Sequence, residues 1–202
     1  MQDVWHAQGM RRSARLGLVA AAVIATALVV VLGLRQAGDD TAEGRPLSRA
    51  EVLAPLEGAP PQLAALHRRA GELVPGGPRA LDAELRRLRG RAVVVNLWAS
   101  WCGPCRFELP FLQAQASARG REIAFLGVNV DDEEAGARAL LRELPVPYPS
   151  VQDPGSRILQ RLRGQGLPGT AFYDVRGKLR MFHQGVYPTE AALADDIERY
   201  AG

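Results

Sequence analysis

The chain has 202 residues, 47% of them hydrophobic and 23% charged, an ordinary globular mix that excludes a disordered or fibrous protein. Its 25 basic and 22 acidic residues are spread along the chain for a net charge of +3; no basic stripe with interleaved aromatics appears, so nucleic acid is not an expected partner. Only two cysteines occur, three positions apart, too few and too close for a disulfide scaffold, which leaves chemistry as their better explanation.

The first predicted element is apolar. Residues 16–34 read LGLVAAAVIATALVVVLGL, with no charge among them. As a helix they span roughly 28 Å, close to the hydrocarbon thickness of a bilayer. Arg11, Arg12 and Arg15 precede this stretch; Arg35, Asp39, Asp40 and Glu43 follow it. The positive-inside rule then puts residues 1–15 in the cytoplasm, makes 16–34 a single transmembrane signal anchor in the lipid bilayer, and places the rest outside the cytoplasmic membrane. A cleaved signal peptide would have a shorter apolar run and a small-residue cleavage site. No cysteine follows the run to carry a lipid anchor.

Residues 35–61 carry several Gly, Pro and charged residues and read as a linker, with a short helical pattern near 48–56. A domain is expected over 62–202. It opens with a helical extension: Leu63, Leu66, Ala70 and Leu73 share a helical face over 62–73, residues 74–78 form a loop, and 81–88 is a second helical pattern ended by Gly90. Residues 92–97 are a β-branched, nearly continuous apolar run, the pattern of a strand buried on both faces. Trp98-Ala99-Ser100-Trp101 leads into Cys102-Gly103-Pro104-Cys105 and a helix to about 118, which Pro110 should kink. A second buried strand covers 123–130, and helices cover 133–144 and 156–162. Strands at 170–173 and 179–184 are joined by a turn containing Gly177, and a last helix runs to about 200 with Thr189 as its N-cap. Alternating units followed by a hairpin predict an α/β fold of three layers, α/β/α, around a central mixed sheet.

Cys102 falls where a buried strand gives way to a helix. Helix N–H groups and the helix dipole favour negative charge there, which lowers the thiol pKa and raises thiolate reactivity. Pro104 pre-sets the first turn and gives up an N–H that would have no partner. Cys105 lies one turn on, within reach of the Cys102 sulfur. Exchange can therefore run in two steps: Cys102 attacks a disulfide, then Cys105 resolves the mixed disulfide and leaves the pair oxidised. A zinc site would need about four ligands, and His6, His67 and His183 are scattered, so no metal is expected.

Trp101-Cys102-Gly103-Pro104-Cys105 after an apolar strand resembles the active-site motif of the thioredoxin superfamily. Val95-Asn96-Leu97-Trp98-Ala99-Ser100, Arg106-Phe107-Glu108-Leu109-Pro110, Val128-Asn129-Val130-Asp131 and Gly166-Leu167-Pro168-Gly169-Thr170 are similar to stretches of the membrane-anchored TlpA/ResA-like branch. The resemblance covers about residues 90–200 and implies a thioredoxin-like fold with a redox-active Cys102–Cys105 disulfide and no cofactor. Asn96 stands where thioredoxin proper has a buried aspartate. Glu108 matches the family's buried acid, implied to take a proton from Cys105. Pro168 matches a cis-proline whose loop, with Leu167, would pair with substrate. Trp101, Gly103 and Pro104 would line the same site, and Trp98 is expected in the core. Gly169 departs from the threonine many relatives have after that proline, and is expected to loosen the loop.

The resemblance implies a reductase of disulfides in exported proteins, apocytochrome c among them, fed by a membrane electron donor of the thiol-relay type. Two other readings share the fold. A peroxiredoxin-like peroxidase would carry T-x-x-C, and position 99 is alanine. A non-enzymatic binding module would not need the cysteines. A copper chaperone would need a wider cysteine spacing and a distal histidine, neither of which is present.

Overall fold

The computed structural model describes residues 47–202, so the expected anchor at 16–34 lies outside the described residues. Among the described residues no helix is long and apolar enough to cross a membrane. Six strands form one mixed sheet in the order β1-β4-β3-β2-β5-β6, where β1 is Leu73–Val74, β2 Val93–Trp98, β3 Ala124–Val130, β4 Ser150–Asp153, β5 Gly169–Tyr173 and β6 Leu179–Gln184. β1 to β4, β4 to β3 and β3 to β2 pair in parallel; β5 pairs antiparallel with β2 and β6.

The connections decide which face each helix covers. β2 leads through α4 (Gly103–Arg119) to β3, and β3 through α5 (Glu134–Glu143) to β4, stepping the same way across the sheet each time. Right-handed crossovers therefore put both helices on one face, and the final helix α7 (Glu190–Ala201) joins them there. The opposite face carries α2 (Pro61–His67), α3 (Gly77–Arg87) and α6 (Arg157–Arg161). β2 is buried along its whole length and divides by strand alternation: Val94 and Trp98 face the core under α4, Val93, Val95 and Leu97 the other core.

Three features differ from the sequence reading. β1 and β4 were not expected as strands, and both complete the parallel half of the sheet. The helix expected over 62–73 stops at His67, because Gly71 (φ +74°) turns the chain so that Leu73 can pair with Ser150. The stretch read as a linker is built into the fold from Leu47 on. There α1 (Arg49–Leu53) starts at a capping box between Ser48 and Glu51, and Val52 and Leu56 are buried. Leu47 N–H donates to Gln113 Oε1 at 3.1 Å, tying this segment to α4. Pro110 sits inside α4, which continues past it to Arg119.

One tight crossing matters for the site. Trp98 is 1% exposed, and its indole N–H donates to Ser150 Oγ at 3.1 Å, reaching from β2 to β4. The strand between them is β3, where Gly127 pairs with Asn96 on one side and Ser150 on the other. The absence of a side chain at Gly127 is what leaves room for that reach.

Candidate active site

β2 ends at Trp98, and Ala99-Ser100-Trp101 turn the chain into α4. Cys102 N–H donates to Ala99 C=O at 3.2 Å, and Cys102 takes the N-cap position with extended backbone (φ −83°, ψ 100°). Its sulfur accepts from Cys105 N–H at 3.2 Å, as an N-cap side chain does. Pro104 sits in the first turn. Cys102 and Cys105 form a disulfide with their Cα atoms 5.3 Å apart. Both cysteines are buried, while Gly103 and Pro104 between them and Trp101 before them are exposed. Trp101, Gly103 and Pro104 thus form the outer surface of this turn, with the sulfurs behind them.

Glu108, one turn beyond Cys105 in α4, is 1% exposed. One carboxylate oxygen accepts from Asn96 Nδ2 at 3.1 Å; the other accepts from the backbone N–H of Tyr187 at 3.0 Å. Burial pushes its pKa up from 4.5 to about 7, against the opposing pull of those two hydrogen bonds. Burial chiefly holds the phenols of Tyr148 and Tyr187 in their neutral form, with the Glu108 charge next for Tyr148 and Asp196 ahead of Glu108 for Tyr187. A carboxyl group poised near neutrality can both take and release a proton in ordinary conditions.

The Leu167–Pro168 peptide is cis. Gly169, which follows this proline, pairs with Leu97 near the end of β2, which brings the loop to the end of the sheet where the Cys102 turn begins. Gln184 fastens the loop: its amide donates to Gly166 C=O at 3.0 Å and Pro168 C=O at 3.1 Å, and its oxygen accepts from Gln165 N–H at 2.9 Å. Gly185 N–H also donates to Pro168 C=O, at 3.0 Å. Two residues on, Tyr187 reaches Glu108. The segment after β6 therefore joins the proline loop to the acid of α4.

Gly169 does not loosen the loop. It begins β5, is buried, and pairs with Leu97 and Gln184. The Phe182 ring lies over it, 2.6 Å from where a Cβ would stand. Gly169→Thr is expected to turn Phe182 outward and cost about 1 kcal/mol, the low end for overpacking, seen as a lower urea midpoint.

Sequence reasoning missed Tyr187, Gln184, Ser100 and Asp132. Ser100 donates to Asp132 through both its backbone N–H and its hydroxyl, each at 2.6 Å. Nothing local in the sequence marks these partners; only the doubled acid at Asp131-Asp132 after a buried strand gave a signal. Among the described residues no cluster of three or more His, Cys, Asp or Glu could hold a metal ion.

A mixed sheet between helices, a Cys-Gly-Pro-Cys disulfide at a helix start and a cis-proline loop beside it define a thioredoxin-like domain. Residues 79–182, just over half of the chain, match the AhpC/TSA family, and the chain belongs to it. It is similar to the thiol:disulfide interchange protein HelX of Rhodobacter capsulatus, 36% identical over 123 residues, 59% of this chain and 67% of that one. It is also similar to the thiol:disulfide interchange protein DsbE of Pseudomonas fluorescens biotype C, 35% identical over 100 residues that make up 49% of this chain and 54% of the relative. The chain thus spans little more than half the length of that relative. Among solved structures, a putative DsbE from Chlorobium tepidum superposes with a TM-score of 0.53 at 30% identity, covering 58% of this chain and 85% of that one.

Proposed function

We propose that the chain is a thiol–disulfide oxidoreductase that reduces disulfides of exported proteins. The observation that carries this reading is the Cys102–Cys105 disulfide at the start of α4, one turn from a buried carboxyl group tuned to about neutral pH. The names of the DsbE and HelX relatives support the same reaction class.

In the reduced enzyme, the Cys102 thiolate at the helix N-terminus attacks one sulfur of a substrate cystine. The substrate S–S bond breaks and one substrate thiolate leaves. Glu108 takes the proton of the Cys105 thiol, and the Cys105 thiolate attacks Cys102 Sγ. The mixed disulfide breaks, the second substrate sulfur leaves as a thiolate, and the Cys102–Cys105 bond forms. Two electrons have passed to the substrate, and a dithiol donor must return two to the enzyme. The compartment outside the membrane is usually oxidising, so a membrane protein relaying thiol electrons from inside is the donor class that fits.

The apolar run at 16–34 and its flanking charges support a single anchor with the domain outside the cytoplasmic membrane. Carbonate extraction of membranes tests it: release of the chain into the supernatant removes the anchor from the reading. Apocytochrome c before haem attachment is the first substrate to test. A peroxidase is disfavoured because Ala99, buried and without a hydroxyl, stands where T-x-x-C has threonine.

Trapping tests the reaction. Cys105→Ser leaves the attacking cysteine without its resolver, so substrates should accumulate as mixed disulfides through Cys102 and be identified by mass spectrometry. Cys102→Ser should trap none. A reduced Cys105→Ser chain that captures no disulfide-bearing protein, or a wild-type chain whose reduced Cys102 is consumed rapidly by hydroperoxide, overturns the proposal.

A further inference from the structure

Trp101 is 64% exposed, the most exposed of the large apolar side chains described, and it directly precedes a cysteine that is 4% exposed. An exposed indole beside a reactive sulfur would ordinarily swing through several rotamers. Here it is pinned. Its N–H donates to the backbone carbonyl of Asp131 at 3.1 Å.

The residue that receives it is strained. Asp131 has φ +45°, in the left-handed region that residues with a Cβ seldom occupy. Such outliers persist only where the surroundings over-determine them, and they cluster where function needs them. The surroundings here are specific. Asp131 N–H donates to Asp153 C=O at 3.2 Å. The next residue, Asp132, accepts from Ser100 N–H and Ser100 Oγ at 2.6 Å each, and from the amide of buried Asn129 at 2.7 Å. Ser100 fits because position 136 is glycine: a Cβ there would stand 2.6 Å from Ser100 Oγ. Residues from the end of β3, the start of α5 and the turn before α4 thus converge on the orientation of one exposed indole.

We propose that Asp132 is a positioning residue for substrate specificity, holding Trp101 as a fixed aromatic wall beside Cys102 against which the peptide flanking a substrate cystine packs. The inference rests on the oxidoreductase reading above. A rigid aromatic surface gives contact area at little entropic cost, and a peptide can use it while a small disulfide offers little to cover it. The wall therefore favours protein disulfides over small ones. The proposal concerns binding of the substrate and leaves the exchange step as written above.

The full-length chain, reduced and in mild detergent, is assayed against insulin as a protein disulfide and glutathione disulfide as a small one. Asp132→Ala should lower the ratio of the two rate constants about tenfold, the order expected for one lost aromatic anchor. Ser100→Ala should lower it less, and Trp101→Ala at least as much. In nitrogen-15 spectra the Trp101 indole N–H should exchange faster with water in Asp132→Ala. The Trp98 indole N–H, bonded to buried Ser150, should stay protected and report an intact fold. Where Asp132→Ala loses the Trp98 signal, Ser100→Ala decides by the same ratio. An unchanged ratio in a folded variant overturns the inference and leaves the oxidoreductase reading standing. A wild-type chain that reduces neither substrate removes both.

Discussion

Glu108→Gln should slow resolution of a Cys102 mixed disulfide about a hundredfold at pH 7, the lower part of the range for a lost general base. Glutamine keeps the shape and cannot take the Cys105 proton. The variant can also keep its hydrogen bonds. Asn96 Oδ1 has no partner in the native site, so a turned Asn96 amide can accept from the N–H of the introduced glutamine, whose oxygen can accept from Tyr187 N–H. The loss is then chemical rather than structural. Stopped-flow release of thionitrobenzoate from its mixed disulfide with Cys102 reads it directly. The wild-type rate should rise with pH through about 7, as Glu108 gives up its proton and becomes a base. The profile of the glutamine variant should lack that step. A variant that resolves at the wild-type rate across this range would remove Glu108 from the mechanism.

The same substitution has a stability signature. Glu108 binds its proton more tightly folded than unfolded, since its pKa is raised from 4.5 to about 7. Its favourable contribution is therefore fully present below about pH 4.5 and is lost as pH rises through 7. The shift corresponds to about 3 kcal/mol between those limits. Glu108→Gln should remove this slope, so that variant minus wild-type stability grows between pH 5 and 8. His67, whose pKa burial lowers, adds a slope of opposite sign, but it is common to both proteins and cancels in the difference. Urea titrations at four or five pH values would show it.

Gly127→Ala should cost about 3 kcal/mol, the upper part of the usual range for overpacking. The new methyl would land on Ser150 Oγ and 2.9 Å from the Trp98 indole nitrogen. β3 cannot yield, because it is paired in register with β2 on one side and β4 on the other. Ser150→Gly removes the atom in the way but orphans the Trp98 N–H, a loss of about 1–3 kcal/mol by itself. The double variant should therefore be more stable than the sum of the two single losses predicts. Strict additivity would mean that Trp98, Gly127 and Ser150 are not packed as one unit.

Some of this site was legible because its signals are local. The Cys102–Cys105 spacing, the proline in the first turn and the apolar run of β2 all lie within 13 consecutive residues, and strand-to-helix chemistry depends on just such neighbours. Glu108 was legible through the resemblance, whose buried acid it matches. β1 and β4 were not, because two and four residues hold too little pattern; they are strands through pairing with each other and with β3. Over residues 47–61 the linker reading gave way to built structure for a related reason. Pro and Gly near residues 55–61 mark turns, and turns occur inside folds as well as between them.

The sequence by itself pointed to the proposed reaction class and to Cys102 as its proposed attacking residue, since both follow from two cysteines three apart and the helix predicted to start between them. It also determined an apolar run long enough to span a bilayer. The tertiary structure decided what tunes that chemistry. Tyr187 lies 79 positions from Glu108 and Asp132 lies 32 from Ser100, yet each is in hydrogen-bond contact. Hydrogen bonds and burial act over about 3 Å of space whatever the distance along the chain. The neutral-range acid and the fixed indole are therefore properties of the packed sheet and helices, and no stretch of the sequence holds either one alone.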